Sequence, residues 1–285
     1  MAGTNEHTPK GRLLGAELRE HRKNADLTVR EMAHHLGTSH VTISRYETGA
    51  RIPHPEDVAR ILATLRVTGT EYEELVDFAR NAGEKNTFAR TSSNPHKHLV
   101  DLAEFERSAV SIVDVAPKVI PGLLQTAYYA REVMRGLPVE EREIRVGLRM
   151  SRRDVLLDTS PPHLKAIVAE HALREPLGGH EVMAAQLRHL QNLVARSGLA
   201  LRVMPNDLTR WTPAHDGAFV LFEFHKAPPI VHLEHFRSSA FLFDSKDVAA
   251  YQHAVPDIET ATLSSSDSAE LVESIATEME RCQCH

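Results

Sequence analysis

Residues 27–49 read LTVREMAHHLGTSHVTISRYETG, and this stretch decides the fold of the first part of the chain. Thr28 followed three positions later by Glu31 is a capping-box spacing, in which a hydroxyl and a carboxylate each accept from an amide left unpaired at a helix start. Met32, Ala33 and Leu36 then give the helix an apolar stripe. Gly37 can take the left-handed conformation that ends a helix, and Thr38 and Ser39 can cap the next one, so the chain turns within about three residues. In the second helix Ile43 faces inward and Val41 sits at the rim, leaving Ser39, His40, Thr42, Ser44 and Arg45 on or near the outer face. Gly49 closes it.

Two short helices joined by a glycine turn, the second with a polar outer face, have the form of a helix-turn-helix whose second helix fits a DNA major groove. An ordinary helical hairpin satisfies the same periodicity, but the capping box, the glycine turn and the polar second helix together are more specific than either helix alone. Arg45 is the residue placed to read a guanine, because a guanidinium donates two parallel bonds to O6 and N7. His40 can donate to a base or a phosphate, or merely be solvated.

The whole chain is acidic, with 33 Lys and Arg against 39 Asp and Glu and a net charge of −6, which excludes a bulk polyanion binder. Residues 10–52 differ: eight basic side chains (Lys10, Arg12, Arg19, Arg22, Lys23, Arg30, Arg45, Arg51) face five acids (Glu17, Glu20, Asp26, Glu31, Glu47), a local charge of +3 that leaves −9 for the rest. This asymmetry favours a basic face on a local DNA-binding module, with Arg30 and Arg51 beside the second helix. One such module contacts few phosphates, so useful affinity calls for two half-sites and a homodimer.

The 285 residues exceed one small helical domain, and 42% hydrophobic content can supply a second core. Domains are expected at 1–82 and 99–281, separated by a linker at 83–98, GEKNTFARTSSNPHKH, where Gly, Ser, Asn and Pro are concentrated. Past the linker, the runs LKAIVAEHAL (164–173), LALRVMP (199–205), GAFVLFEF (217–224), PPIVHLEHF (228–236) and AFLFD (240–244) read as strands. Helices are expected at 124–135, 139–157, 180–197, 245–254 and 267–280. Clustering of the last strands predicts an α+β domain with an antiparallel sheet.

Several groups in this half invite a functional reading. In PGLLQT, Pro121 and Gly122 make a turn, Leu123 and Leu124 plug a core and Gln125 or Thr126 caps a helix; Gln125 could instead be the recognition group of a pocket or groove. Arg142, Arg145, Arg149, Arg152 and Arg153 fall at helical spacing opposite Ile144, Leu148 and Val155. Such a stripe is usually a solvated face; the functional alternative, carried by Arg145, Arg149 and Arg152, is docking of an acidic partner protein or the DNA backbone. The loop 206–216 holds Trp211 with Arg210, His215 and Asp216, as a lid or as packing on a sheet edge. His232 and His235 are three apart in a strand and point to opposite faces, so they do not share an ion. Cys282, Cys284 and His285 give three ligands where a structural zinc needs four. No metal and no cofactor is expected.

Residues 27–49 resemble the Cro/phage-repressor type of helix-turn-helix, the Xre family, through Gly37, Ser39, Thr42, Ile43, Ser44, Arg45, Glu47 and Gly49. The resemblance covers about the first 82 residues and implies five helices, near 12–25, 28–36, 39–48, 55–66 and 70–82. It implies that His40, Val41 and Arg45 meet base edges, that Ser39 meets a phosphate or a thymine methyl, and that Arg22 pairs with Glu47 to hold the second helix. Val29 and His40 depart from the family's usual glutamines, so the family's operators do not transfer. The rest resembles the C-terminal domain of a large set of actinobacterial Xre-type regulators, through IPGLLQTAYYA (120–130), the stretch Arg145–Leu157, Ala172–Gly179, EVMAAQLRHL, LRVMP and DGAFVLFEF. That likeness implies a transcription regulator, encoded beside a small acidic protein that binds it.

The chain contains no G-x-S-x-G elbow, Walker loop, H-E-x-x-H or Rossmann glycine pattern, so no enzyme is expected. The first ten residues lack the apolar core of a signal peptide and no long apolar run follows, which predicts a cytoplasmic protein. The expected function is a sequence-specific DNA-binding regulator, dimeric, whose C-terminal domain responds to a small protein or small-molecule ligand. The alternative is an antitoxin-like interaction protein of a two-gene module that only autoregulates its operon.

Overall fold

The computed structural model describes residues 9–82, 89–90, 95–225, 227–235 and 238–282. Most of the expected linker, residues 83–88 and 91–94, lies outside them, as do Cys284 and His285. The chain divides into two compact units, Met1–Phe88 with Phe224–Ile230 and Ala89–Glu223 with Val231–His285.

The first unit is helical, with α1 (Pro9–Asn24), α2 (Val29–Leu36), α3 (His40–Glu47), α4 (Pro55–Thr64) and α5 (Thr70–Ala82). Both bonds of the capping box form at α2: the Glu31 amide donates to Thr28 Oγ1 at 3.2 Å, and the Thr28 amide to Glu31 Oε2 at 2.7 Å. Gly37 ends the helix at φ 65°, its amide donating to the Ala33 and His34 carbonyls. Ser39 Oγ then accepts from the Thr42 amide at 3.1 Å and starts α3. Leu14, Leu18, Met32, Ile43, Tyr46, Val58 and Leu62 form the core, and each fully buried aliphatic side chain contributes about 1.5–3 kcal/mol. Gly15 lets α1 approach the end of α3, because a Cβ there would lie 2.3 Å from the Tyr46 carbonyl oxygen.

The second unit holds a sheet of β1 (Ala89–Arg90), β2 (Ser111–Ala116), β3 (His163–Ala169), β4 (Ala200–Met204), β5 (Phe219–Glu223), β6 (Ile230–His235) and β7 (Ser238–Leu242), in the order β1-β7-β6-β5-β2-β3-β4. Its helices are α6 (Pro95–Ser108), α7 (Ala127–Val133), α8 (Val139–Arg152), α9 (Glu170–Arg174), α10 (His180–Ser197), α11 (Ser245–Glu259) and α12 (Ser265–Cys282).

The sheet is mixed, which corrects the antiparallel expectation. β2, β3 and β4 run parallel, while β2 pairs antiparallel with β5, β6 with β7, and β1 with β7. Helices α7 and α8 return the chain from β2 to β3, and α9 and α10 from β3 to β4, the crossover length a parallel pair requires. β2 escapes a pattern search because Asp114 interrupts its apolar run. The run 164–173 also divides: β3 stops at Ala169, and Glu170 turns the chain into α9 by accepting from Arg174 Nε at 2.6 Å and from the Asn206 amide at 3.0 Å. Helix α11 runs past its expected end and carries Pro256 inside.

Side chains alternate across β2. Val113 and Val115 join Ile167, Phe219, Leu221 and Val231 against Val248, Val255 and Ile258 of α11. On the opposite face the Phe105 ring of α6 meets Phe222 and Phe241, with centroids 6.3 and 5.0 Å apart. Asp114 belongs to that second face.

Candidate nucleic-acid interface

Helix α3 presents the side chains named from the sequence. His40, Ser44 and Arg45 are exposed, and Val41 is an exposed apolar side chain. The Arg45 guanidinium has no hydrogen-bond or ion-pair partner among the described residues, so it is free for a ligand. Thr42 is half-buried, with its hydroxyl 2.9 Å from Ser39 Oγ. Ser39 Oγ is therefore engaged in the cap, which leaves it less available to a phosphate than its exposure suggests.

The inner side of α3 is fixed by charge. Arg22 Nε and Nη2 donate to the two oxygens of Glu47 at 2.6 and 2.8 Å, and Nη1 donates to the Leu27 carbonyl at 2.6 Å. Both side chains are buried, and the hydrogen bond that Arg22 donates to Glu47 holds the Arg22 pKa above its usual value. A two-pronged pair fixes rotation as well as distance, so it sets the direction in which Arg45 points. Tyr46 donates to Asp57 Oδ2 at 3.0 Å, and the Arg51 guanidinium lies over the Tyr46 ring at 5.7 Å. Arg30 is exposed on α2, whereas Val29 packs against the core and offers no phosphate contact. Sequence reasoning passed over Asp57 and over Arg60, whose Nη2 donates to the Leu36 carbonyl at 2.9 Å; neither contact has a local spacing that announces it.

The arginines of α8 do not form the solvated stripe that their spacing suggested. Arg152 donates through Nε to Glu106 Oε2 at 2.7 Å and through Nη2 to Glu106 Oε1, and both side chains are buried. Arg149 Nη1 donates to Gln125 Oε1 at 2.7 Å, and burial pushes its pKa down to about 10. Arg145 is half-buried and donates to Glu141 at 2.6 Å. The apolar Val139 and Ile144 face outward instead. An outer basic docking face is thus not what α8 offers.

PGLLQT takes its structural reading. Leu123 and Leu124 are buried in a 3₁₀ turn, and Thr126 caps α7. Gln125 is buried, with Nε2 donating to the Ile120 carbonyl at 2.7 Å and Oε1 held by Arg149, so both ends of its amide are used. Gln186 of α10 clamps the segment by accepting from the Thr126 amide at 2.7 Å and donating to the Leu124 carbonyl at 2.8 Å.

Asp114 was missed, although an acid inside SIVDVA was the available signal. It is half-buried in the middle of β2, and its carboxylate makes no hydrogen bond or ion pair among the described residues. Burial, and next the Glu106 carboxylate, push its pKa up to about 7. His232 is buried and stacked on Phe241 at 4.7 Å, while His235 is exposed. Among the described residues no cluster of three His, Cys, Asp or Glu is arranged to hold a metal ion, and no helix is long and apolar enough to cross a membrane. Trp211 is exposed in its loop, where Arg210 donates to Thr260 Oγ1 and to the Asp257 carbonyl.

Two family models match the chain. Residues 13–75 match a helix-turn-helix domain, and residues 99–274 match a domain of unknown function, DUF5753. No curated protein and no solved structure is similar enough to register as a match.

Proposed function

This chain belongs to the DUF5753 family and carries a helix-turn-helix domain ahead of the family domain, and from that premise we propose that it is a sequence-specific transcriptional regulator of the Xre type, acting as a homodimer. The helix-turn-helix supports DNA binding in general. The observation that carries sequence specificity is the unpartnered, outward Arg45 on a helix whose inner side is locked by Arg22 and Glu47. Locking removes the entropy that a free helix would lose on entering a groove, and a free guanidinium can pair bidentately with guanine. His40, Val41 and Ser44 supply the neighbouring base contacts, and Arg30 and Arg51 the phosphate contacts. The C-terminal domain joins two such helices and receives the signal, from a small acidic protein or a small molecule. No catalysis is assigned to either unit, and the place of action is the cytoplasm.

Selection of duplexes from a random pool by the purified full chain tests this reading. The expected product is a motif of two related half-sites about 10 bp apart, with binding that weakens steeply as salt rises. A pool that stays random after repeated rounds would overturn it.

A further inference from the structure

The first unit leaves a large apolar side chain in water on the outer side of α3. Val41 is 46% exposed, and no other large apolar side chain among the described residues of that unit is exposed. It takes no part in the core, against which Leu27, Val29, Leu36 and Ile52 are packed. Nor does it favour the helix, since a β-branched side chain loses rotamer freedom in one. At 3.6 residues per turn, Val41 lies about 40° from Arg45 around the axis of α3, about 60° from Ser44 and about 160° from the buried Ile43. The isopropyl group therefore shares a face with the free guanidinium, one turn nearer the start of the helix.

We propose that Val41 reads the 5-methyl group of a thymine in each half-site of the DNA, close to the guanine that Arg45 pairs with. In the major groove a base pair presents donors, acceptors and, on thymine alone, a methyl group. An isopropyl group laid against an amine or a carbonyl strips water from it and gives no bond in return, whereas against the methyl both partners withdraw apolar surface from water. Ser39, for which the family resemblance implies a phosphate or a thymine methyl, is occupied in the cap: its Oγ accepts from the Thr42 amide at 3.1 Å and lies 2.9 Å from Thr42 Oγ1. The step from Val41 to Arg45 rises about 6 Å along the helix. That rise spans no more than about two base-pair steps, which places the thymine within about two pairs of the guanine. This role rests on the reading of α3 as the helix that enters the groove, and it names the base that stands beside the guanine.

The probes are the duplex selected by the full-length chain and copies of it in which deoxyuridine replaces thymidine, at one position at a time and at matched positions of both half-sites. Uracil keeps every polar group of thymine, so the replacement removes the methyl alone. At the thymine beside the guanine, the expected loss of affinity is about fourfold for one half-site and about fifteenfold for both, as for one buried methyl group in each. Val41→Ala is expected to bind the thymine and uracil duplexes within about twofold of each other. The position is exposed and alanine is the better helix former, so this variant keeps its fold, as circular dichroism checks. Equal affinity of the unaltered chain for thymine and uracil at every position, a selected half-site with no thymine beside the guanine, or an undiminished methyl effect in Val41→Ala overturns the role of Val41. A selected motif without methyl dependence removes only this role, whereas a pool that yields no motif removes the regulator and this role with it.

Discussion

Helices α3 and α8 both carry arginine at helical spacing beside apolar residues, and they point in opposite directions. In α3 the apolar Ile43 goes in and Arg45 goes out. In α8 Arg149 and Arg152 go in, and Ile144 and Val139 go out. Spacing therefore defines a stripe without giving its direction. What decides direction is the partner on the neighbouring element: Glu106 and Gln125 wait beneath α8, whereas beneath α3 the neighbouring element offers a base, Arg22 of α1, which takes the acid of α3 itself, Glu47. The same device, a buried two-pronged Arg–Glu pair, thus aims the free arginine of the first unit outward and holds the arginine helix of the second unit inward.

Breaking the two buried pairs is the strongest challenge to this comparison. Glu47→Ala and Glu106→Ala each leave an uncompensated buried guanidinium, and each is expected to cost about 3–5 kcal/mol in chemical unfolding of its own unit; losses near zero would mean that the pairs do not fix their helices. Next, Asp114→Asn is expected to stabilise the second unit at pH 8 by a few kcal/mol. The folded carboxyl keeps its proton up to about pH 7 while an unfolded one releases it near 3.8, so the wild-type unit loses stability as pH rises between these values and is flat above them. Below about pH 4 both states are protonated and the substitution is neutral; a gain that does not depend on pH would contradict the buried, donor-free carboxyl.

Smaller effects sharpen the contrast at the surface. Arg45→Ala is expected to weaken binding to the selected duplex by about 1–3 kcal/mol with unchanged thermal stability. Thr28→Ala removes one bond of the capping box and is expected to cost about 1 kcal/mol of first-unit stability, read by thermal unfolding. At the lower end, Ile144→Lys on the outer face of α8 is expected to shift stability by no more than about 0.5 kcal/mol; a loss of several times that would place Ile144 in a contact that the isolated chain does not show.

The first unit was legible because its signals are local. Thr28 with Glu31, Gly37, Ser39 and the Ile43 stripe all act within one or two turns, and each performs the role its spacing implies. The second unit depends on pairings distant in sequence, which spacing cannot reveal. Arg152 and Glu106 are 46 positions apart, and Gln125 and Arg149 are 24 apart. β2 escaped notice for a related reason: an unpartnered acid inside an apolar run weakens the strand pattern. The parallel pairing of β2, β3 and β4 was hidden because the order of strands along the chain does not give their order in the sheet.

The most direct test of the central claim, that the locked, outward Arg45 reads DNA sequence, is fluorescence anisotropy of the unaltered chain and of Arg45→Ala on the selected duplex and on a scrambled duplex of equal length. The expected result is a clear preference of the unaltered chain for the selected duplex, reduced by about 1–3 kcal/mol in Arg45→Ala while binding of the scrambled duplex stays salt-sensitive and nearly unchanged. A preference that survives the substitution intact, or its absence from the unaltered chain, would contradict the account.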